Sequence, residues 1–281
     1  MAEIEDGIKN IILISDIHAG DQFGLCPEKV SLDGGGHYTA SIYQNEMLGC
    51  WNYIWNDWIP MVTKGEDFAL VNNGDSLEGI HHNASHPISQ NIADQFRVAL
   101  DLLSPVVKKA ALYYHIRGTG AHSGESGRYE EMLARELKAV PDGDNYSRFE
   151  LRLKFKGTTG NIHFTHHVGV TSSGNYESTG VYKEMVEAFV DAGRWGDIPP
   201  SVVCRSHRHR QFETRIATRH GYGISLVTPG WQLKTPYTFR LPLSRASWPQ
   251  IGAYLIRRGD EDEIYTRFKV WNLRQSREVT I

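Results

Sequence analysis

Cysteine is scarce: 281 residues carry only Cys26, Cys50 and Cys204, with no Cys-x-x-Cys pair. An odd, scattered set argues against a disulfide framework and points to a reducing compartment. Long apolar runs are missing too, since "IILI" near the N-terminus is far too short to span a bilayer. The opening "MAEIEDGIKN" lacks the basic start and apolar core of a secretory signal. The expectation is a cytoplasmic protein with no membrane partner. No internal repeat, low-complexity tract or linker is visible, so one domain over residues 1–281 is expected, with an insertion or lid near 20–60. Charge of one sign is lacking overall, with a net of −3, so the whole molecule is no obvious polyanion binder. Its distribution is less even. Between Ser201 and Arg258 lie Arg205, Arg208, Arg210, Arg215, Arg219, Lys234, Arg240, Arg245, Arg257 and Arg258, against a single carboxylate, Glu213. Such an asymmetry marks either a phosphate-facing surface or a solvated basic face.

What is present is a series of short apolar segments that each end in polar, reactive residues. "NIILISDIH", "DFALVNNGD", "ALYYHIRG", "NIHFTHH" and "SVVCRSHRH" read as strands, and their continuous hydrophobicity predicts burial on both faces. Helices are expected over "TASIYQNEMLGCWNYIWNDWI", "ISQNIADQFRVALDLLSPVVKKA", "SGRYEEMLARELKAV" and "ESTGVYKEMVEAFVDAG". In the first of these, Trp51, Trp55 and Trp58 recur at helical spacing and are assigned to the core. "RFELRLKFKGTTGNIHFTHH" and "IGAYLIRRGDEDEIYTRFKVWNL" read as hairpins. Strand–helix alternation followed by mostly strand predicts one α/β domain on two packed sheets.

The strand ends carry the chemistry. They deliver Asp16 and His18, Asp75, His122, His166 and His167, and His207 and His209. So many carboxylates and imidazoles at one edge need a shared partner once desolvated, and a divalent cation is the simplest. Oxygen and imidazole without thiolate suits manganese, iron or zinc. Asp-x-His and His-x-His put alternate side chains on one side of an extended chain. Asp75, at a tight "NGD" turn, could bridge two ions.

The set "SDIH", "NGDSLEG", "RGTGAHSG", "FTHHVG" and "SHRHR" resembles the calcineurin-like metallophosphoesterase superfamily, in that family's order. "GDSLEGIHH", "RGTGAHSG" and "TPGWQLKTPY" look closest to a phage-associated branch. The resemblance implies a two-sheet β-sandwich flanked by helices in four layers, with two divalent metal ions, manganese favoured and zinc, iron or nickel as alternatives. It implies that Asp16, His18 and His209 hold the first ion, that Asp75 bridges, and that His207 with His166 holds the second. His167 would then point elsewhere. It makes His122 the general acid, or an electrostatic support, while metal-activated hydroxide attacks phosphorus. One position departs from the pattern: where the family has a metal-binding asparagine before this histidine, the chain has Ala121. Water, Thr119 or Glu125 would have to replace the amide, or the second metal would be labile.

The favoured activity is phosphodiester cleavage on single-stranded DNA, other nucleic acid or nucleotides. A phosphomonoesterase and a catalytically weak binding scaffold are the alternatives. Arg117, Arg208 and Arg210 are candidate substrate contacts, as are His81 and His82, with His86 close by. Trp231, Tyr237, Phe239 and Trp248, interleaved with Lys234, Arg240 and Arg245, make either a stacking surface for bases or a hairpin packed on the core.

Overall fold

The computed structural model describes residues 2–4, 7–81, 83–169, 176–219, 221–242, 247–260 and 263–275. One sheet contains β2 (Asn10–Ile14), β5 (Phe68–Asn72), β6 (Leu112–Ile116), β7 (Ser147–Arg148), β13 (Ile251–Arg258) and β14 (Ile264–Trp271), in the order β14-β13-β2-β5-β6-β7. Its β2, β5, β6 and β7 are parallel, while β13 and β14 are antiparallel additions. The other sheet contains β1 (Ala2–Ile4), β8 (Leu151–Phe155), β9 (Ile162–Phe164), β10 (Val202–Arg205), β11 (Phe212–Thr218) and β12 (Gly221–Val227), in the order β1-β8-β9-β10-β12-β11. The two expected hairpins are there, as β8 with β9 and β13 with β14.

Alternation along the strands builds two cores. Ile11 and Leu13 of β2 face the second sheet, meeting Leu153, Phe164, Val202 and Leu226. Ile12 and Ile14 face the helices instead. On that side lie α1 (Ile42–Tyr53), α3 (Ile92–Val107) and α5 (Arg128–Glu136), which contribute Met47, Trp51, Val98, Leu102 and Leu133 to the cluster. Across the outer face of the second sheet runs α6 (Glu177–Trp195), close enough that a Cβ on Gly223 of β12 would meet Phe189 Cζ at 2.8 Å. The order is helices, sheet, sheet, helix: a two-sheet α/β sandwich.

Local signals set the helix ends. Ser41 and Gln44 form a reciprocal capping box at the start of α1. The helix expected directly after Pro87 begins only at Ile92, because Asn91 accepts from the Ala93 amide and caps it there. The tryptophan helix is interrupted by a π-turn, Ile54–Trp58, before α2 (Ile59–Thr63), and Trp51, Trp55 and Trp58 are all buried. A single helical turn, α4 (Gly120–Ser123), follows β6 and carries His122. Residues 20–60 also include the β3 (Lys29–Ser31) and β4 (His37–Thr39) hairpin, and send Leu25, Cys26 and Val30 into the helix-side core. Among the described residues, no helix is long and apolar enough to cross a membrane.

Candidate metal centre

The loops leaving β2 and β5 are zipped together by backbone hydrogen bonds. Asp16, His18 and Ala19 donate their amides to the carbonyls of Gly74, Asp75 and Ser76, at 2.9, 3.0 and 2.9 Å. Asp16 and His18 therefore do not alternate along a strand, as their spacing predicts. Both lie beyond the end of β2 with left-handed backbone, φ 55° and 48°. Asp75, His207 and His209 share that conformation, at φ 52°, 72° and 51°. Asp and His tolerate it better than most residues, but each such residue still costs on the order of 1–3 kcal/mol. The five follow strands of both sheets, β2 and β5 in one and β10 in the other, so the strain gathers where the two sheets' strand ends meet. Glycine makes room there, since a Cβ on Gly118 would lie 2.0 Å from Asp75 Oδ1.

Among the described residues, five groups of donor atoms have all atoms within 4.8 Å of one another; Glu78, His81 and His122 make one, Asp21, Glu78 and His86 another, and three share Asp16, His18 or Asp75. Those three are Asp16, Asp75, His166 and His207; Asp16, His18 and His209; and His18, Asp75 and His122. His166 Nε2 lies 3.0 Å from Asp75 Oδ2 and 3.8 Å from Asp16 Oδ1. His209 Nε2 lies 3.2 Å from both Asp16 Oδ1 and His18 Nε2, and His207 Nδ1 lies 4.0 Å from Asp75 Oδ2. Asp16, Asp75, His18 and His166 are buried.

This set fits a cation. Asp16 Oδ1 and His166 Nε2 are buried and make no well-aligned hydrogen bond, each instead facing an opposite charge, His209 Nε2 at 3.2 Å and Asp75 Oδ2 at 3.0 Å. Burial alone would raise the Asp16 carboxyl, yet His209 and His166 beside it hold it below the usual range. Burial likewise opposes charge on His166 and His18. Asp75 and Asp16 nonetheless lift His166 to about 10, and Glu78 with the two aspartates lifts His18 to about 9. The carboxylates thus recruit positive charge onto the imidazoles, and a divalent ion would displace those protons. The neighbouring trio of Asp21, Glu78 and His86 behaves differently. Asp21 Oδ1 accepts from the Phe23 amide at 3.1 Å and pairs with His86 Nδ1 at 3.0 Å, while Gln232 Nε2 bonds both acids, so the trio is satisfied by hydrogen bonds alone.

The other candidates sort by what they touch. Thr119 directs both its donors at the Asp75 carboxylate: its amide reaches Oδ1 at 2.6 Å and its hydroxyl at 3.1 Å. Glu125 is exposed and belongs to none of the donor groups. His167 is exposed as well, its ring 5.4 Å from His166 and 5.2 Å from His207. His122 gives Nδ1 to the Glu78 carbonyl at 2.6 Å, so its Nε2 is left for the site. Burial, helped by the charge on His18, pushes its pKa down to about 4. His81 stands against it, with ring centroids 4.5 Å apart, and His82 lies outside the described residues.

The arginines expected at the substrate are largely tied into the frame. Arg117 donates to Ser147 Oγ at 2.8 Å and to the Ser126 carbonyl at 3.0 Å, and Arg210 pairs with Glu177 at 3.1 Å. Arg208 donates through Nη2 to the Gly169 carbonyl, but its buried Nη1 has no partner. Of the expected aromatic surface, Trp231 is in the core and Arg245 lies outside the described residues. Tyr237 and Phe239 are exposed, and Lys234 Nζ sits 5.4 and 5.0 Å from the Phe239 and Trp248 ring centroids.

Sequence reasoning passed over Glu78. This buried residue pairs through Oε2 with His18 Nδ1 at 2.9 Å and through Oε1 with His81 Nε2 at 2.8 Å. It orients one candidate ligand through its carboxylate and His122 through its carbonyl. Its one sequence signal is its position three residues after Asp75 in "GDSLEG".

No family model matches the sequence, and no curated protein does. Among solved structures, Vps29 from Chaetomium thermophilum is similar at 9% identity, over 95% of this chain and 97% of that one, with a TM-score of 0.39. A hypothetical protein from Thermus thermophilus is similar at 12% identity, over 93% and 98% of the two chains, with a TM-score of 0.42. The Thermus thermophilus sulfate thiohydrolase SoxB, in complex with glycerol, is similar at 9% identity, over 96% of this chain and 57% of that one, with a TM-score of 0.42.

Proposed function

We propose that this chain is a dinuclear-metal phosphoesterase of the calcineurin-like class, cleaving phosphodiesters in nucleic acid or nucleotides. The observation that carries the reading is the convergence of Asp16, Asp75, His166 and His207, whose ligand atoms all lie within 4.8 Å of one another. Asp16, His18 and His209 would hold one ion, Asp75 would bridge, and His166 and His207 would hold the other. Asp16 also falls in the group with Asp75, His166 and His207, which offers that ion an oxygen where Ala121 offers none. Manganese is proposed first, since every donor is oxygen or imidazole. Bound ions would supply Lewis-acid charge toward the phosphate oxygens.

The chain's own residues supply orientation and a proton site. Glu78 fixes His18 and His122, and Thr119 fixes Asp75. With Nδ1–H given to Glu78, the neutral His122 ring carries a lone pair on Nε2. Burial of the ring favours this unprotonated form before substrate arrives. An arriving anionic phosphodiester raises the ring's pKa, so His122 takes up a proton with substrate and returns it to the leaving oxygen. Phe239, Trp248 and Tyr237 beside Lys234 support a nucleobase-bearing substrate.

The test is hydrolysis of bis(p-nitrophenyl) phosphate and single-stranded DNA with manganese. Both activities should appear, be abolished in Asp75→Asn and fall by roughly 10²–10⁴ in His122→Ala. Strong monoester turnover without diester cleavage would make the protein a phosphatase. Calorimetry showing no stabilisation by any divalent ion would leave a binding scaffold.

A further inference from the structure

Behind the Asp75 turn, and away from the cleft, lies a buried polar chain that the proposed chemistry does not use. Glu130, on α5, is 0% exposed, as is His115 on β6. The Glu130 carboxylate accepts from the Ser76 amide at 2.9 Å and from the Ser76 hydroxyl at 2.8 Å. His115 Nε2 forms a short hydrogen bond to the same carboxylate. On the other side of the ring, Nδ1 lies 2.6 Å from the Tyr113 hydroxyl. A carboxylate only accepts, so Nε2 is the donating nitrogen, and the Tyr113 O–H donates to Nδ1. Burial keeps that phenol protonated by pushing its pKa well up. Asn72 closes the network, donating to Ser76 Oγ at 2.9 Å.

Placing a carboxylate and an imidazole in the interior is expensive, and a pair of apolar side chains would serve packing as well or better. What the pair touches explains it. Ser76 directly follows Asp75, whose backbone sits at φ 52°. The carbonyls of Gly74, Asp75 and Ser76 are already held by the amides of residues 16, 18 and 19. Asn73 donates its amide to the Ile14 carbonyl at 2.8 Å, and Thr119 holds the Asp75 carboxylate. Glu130 adds an anchor from a further element, α5, gripping the Ser76 amide and hydroxyl together. A strained conformation persists only where its surroundings over-determine it.

We propose that Glu130 is a positioning residue for the metal centre, holding Asp75 in its left-handed conformation through Ser76, with His115 and Tyr113 fixing the Glu130 carboxylate. The role rests on the metal-centre reading above. It predicts that Glu130 sets the affinity of the site for its ions and has little part in the chemical step.

The experiment is calorimetric titration of Mn²⁺ into metal-stripped wild type, Glu130→Gln, His115→Phe and Ser76→Ala, with circular dichroism and melting curves recorded in chelator. Glu130→Gln should bind Mn²⁺ about 10–100-fold more weakly, the range for loss of a group that orients a ligand. Its activation midpoint for Mn²⁺ should rise by the same factor, with kcat at saturating Mn²⁺ within a few-fold of wild type. Ser76→Ala keeps the amide contact, so its loss should be smaller. A merely structural role would lower the melting temperature without changing Mn²⁺ affinity, and wild-type affinity in Glu130→Gln would overturn the proposal. Should that variant fail to fold, wild-type affinity in both His115→Phe and Ser76→Ala would overturn it equally. Wild type that binds no Mn²⁺ refutes the metal reading and this role with it, whereas tight wild-type binding unchanged in the variants refutes only the role of Glu130.

Discussion

Gly118 and Thr119 share in placing the Asp75 carboxylate, the first by leaving room and the second by supplying donors. A methyl on Gly118 would collide with Asp75 Oδ1 at 2.0 Å and push Thr119 off the carboxylate. Gly118→Ala should therefore weaken divalent-ion binding by about tenfold or more, as loss of an orienting contact does. The added methyl should cost the fold about 1–3 kcal/mol. Titration calorimetry beside a chemical melt separates the two effects; unchanged affinity would show that Asp75 is placed by other contacts. At this scale the sequence was legible where residue type alone decides: aspartates and histidines after apolar runs name the cluster. Glu78 and Glu130 were not, because a buried carboxylate is recognised by its partners, and these come from segments far apart in the chain. The left-handed backbone at Asp16 and His18 was equally hidden, since only glycine advertises it.

Elements decide where charge ends up. The basic span after Ser201 looked like a surface, yet α6 supplies Glu184 to Arg205 at 2.8 Å and Glu177 to Arg210 at 3.1 Å. Glu66, after α2, takes Arg257 at 2.9 Å. Acidic residues outside the span neutralise much of it, which a count within the span cannot reveal. A similar tie joins α5 to β7: Glu131 accepts from the Ser147 hydroxyl at 2.7 Å and from the Ser147 and Tyr146 amides. Burial opposes its charge, but those donors hold its pKa below the ordinary 4.5. A lowered carboxyl stabilises the fold above its unfolded value and loses that contribution as pH falls through the folded one. Glu131→Gln should thus lower the melting temperature at pH 7, and the gap to wild type should close toward pH 3. A gap independent of pH would show that the contact acts by shape rather than charge.

At the scale of the molecule, continuous apolar runs buried on both faces specified both cores, and the strand ends specified the edge that carries the candidate site. Residues 20–60 are joined to that frame through tryptophan: Trp51 on α1 meets Trp231 edge-on at 4.9 Å, and the Trp231 amide donates to the Asp16 carbonyl at 2.7 Å. Trp51→Ala should destabilise the whole protein by about 3–5 kcal/mol. Fluorescence and circular dichroism should still report one coincident transition. Two separate transitions would show residues 20–60 melting as a unit of their own.

Five of the six residues assigned to the ions hold backbone angles that glycine or asparagine would adopt more easily. Robustness and chemistry therefore pull on the same positions in opposite directions. A descendant released from the proposed reaction could relax those turns one substitution at a time, gaining heat resistance while keeping its outline. In such a lineage, the disappearance of aspartate and histidine from these five places would record the end of use, and a firmer fold would be its trace.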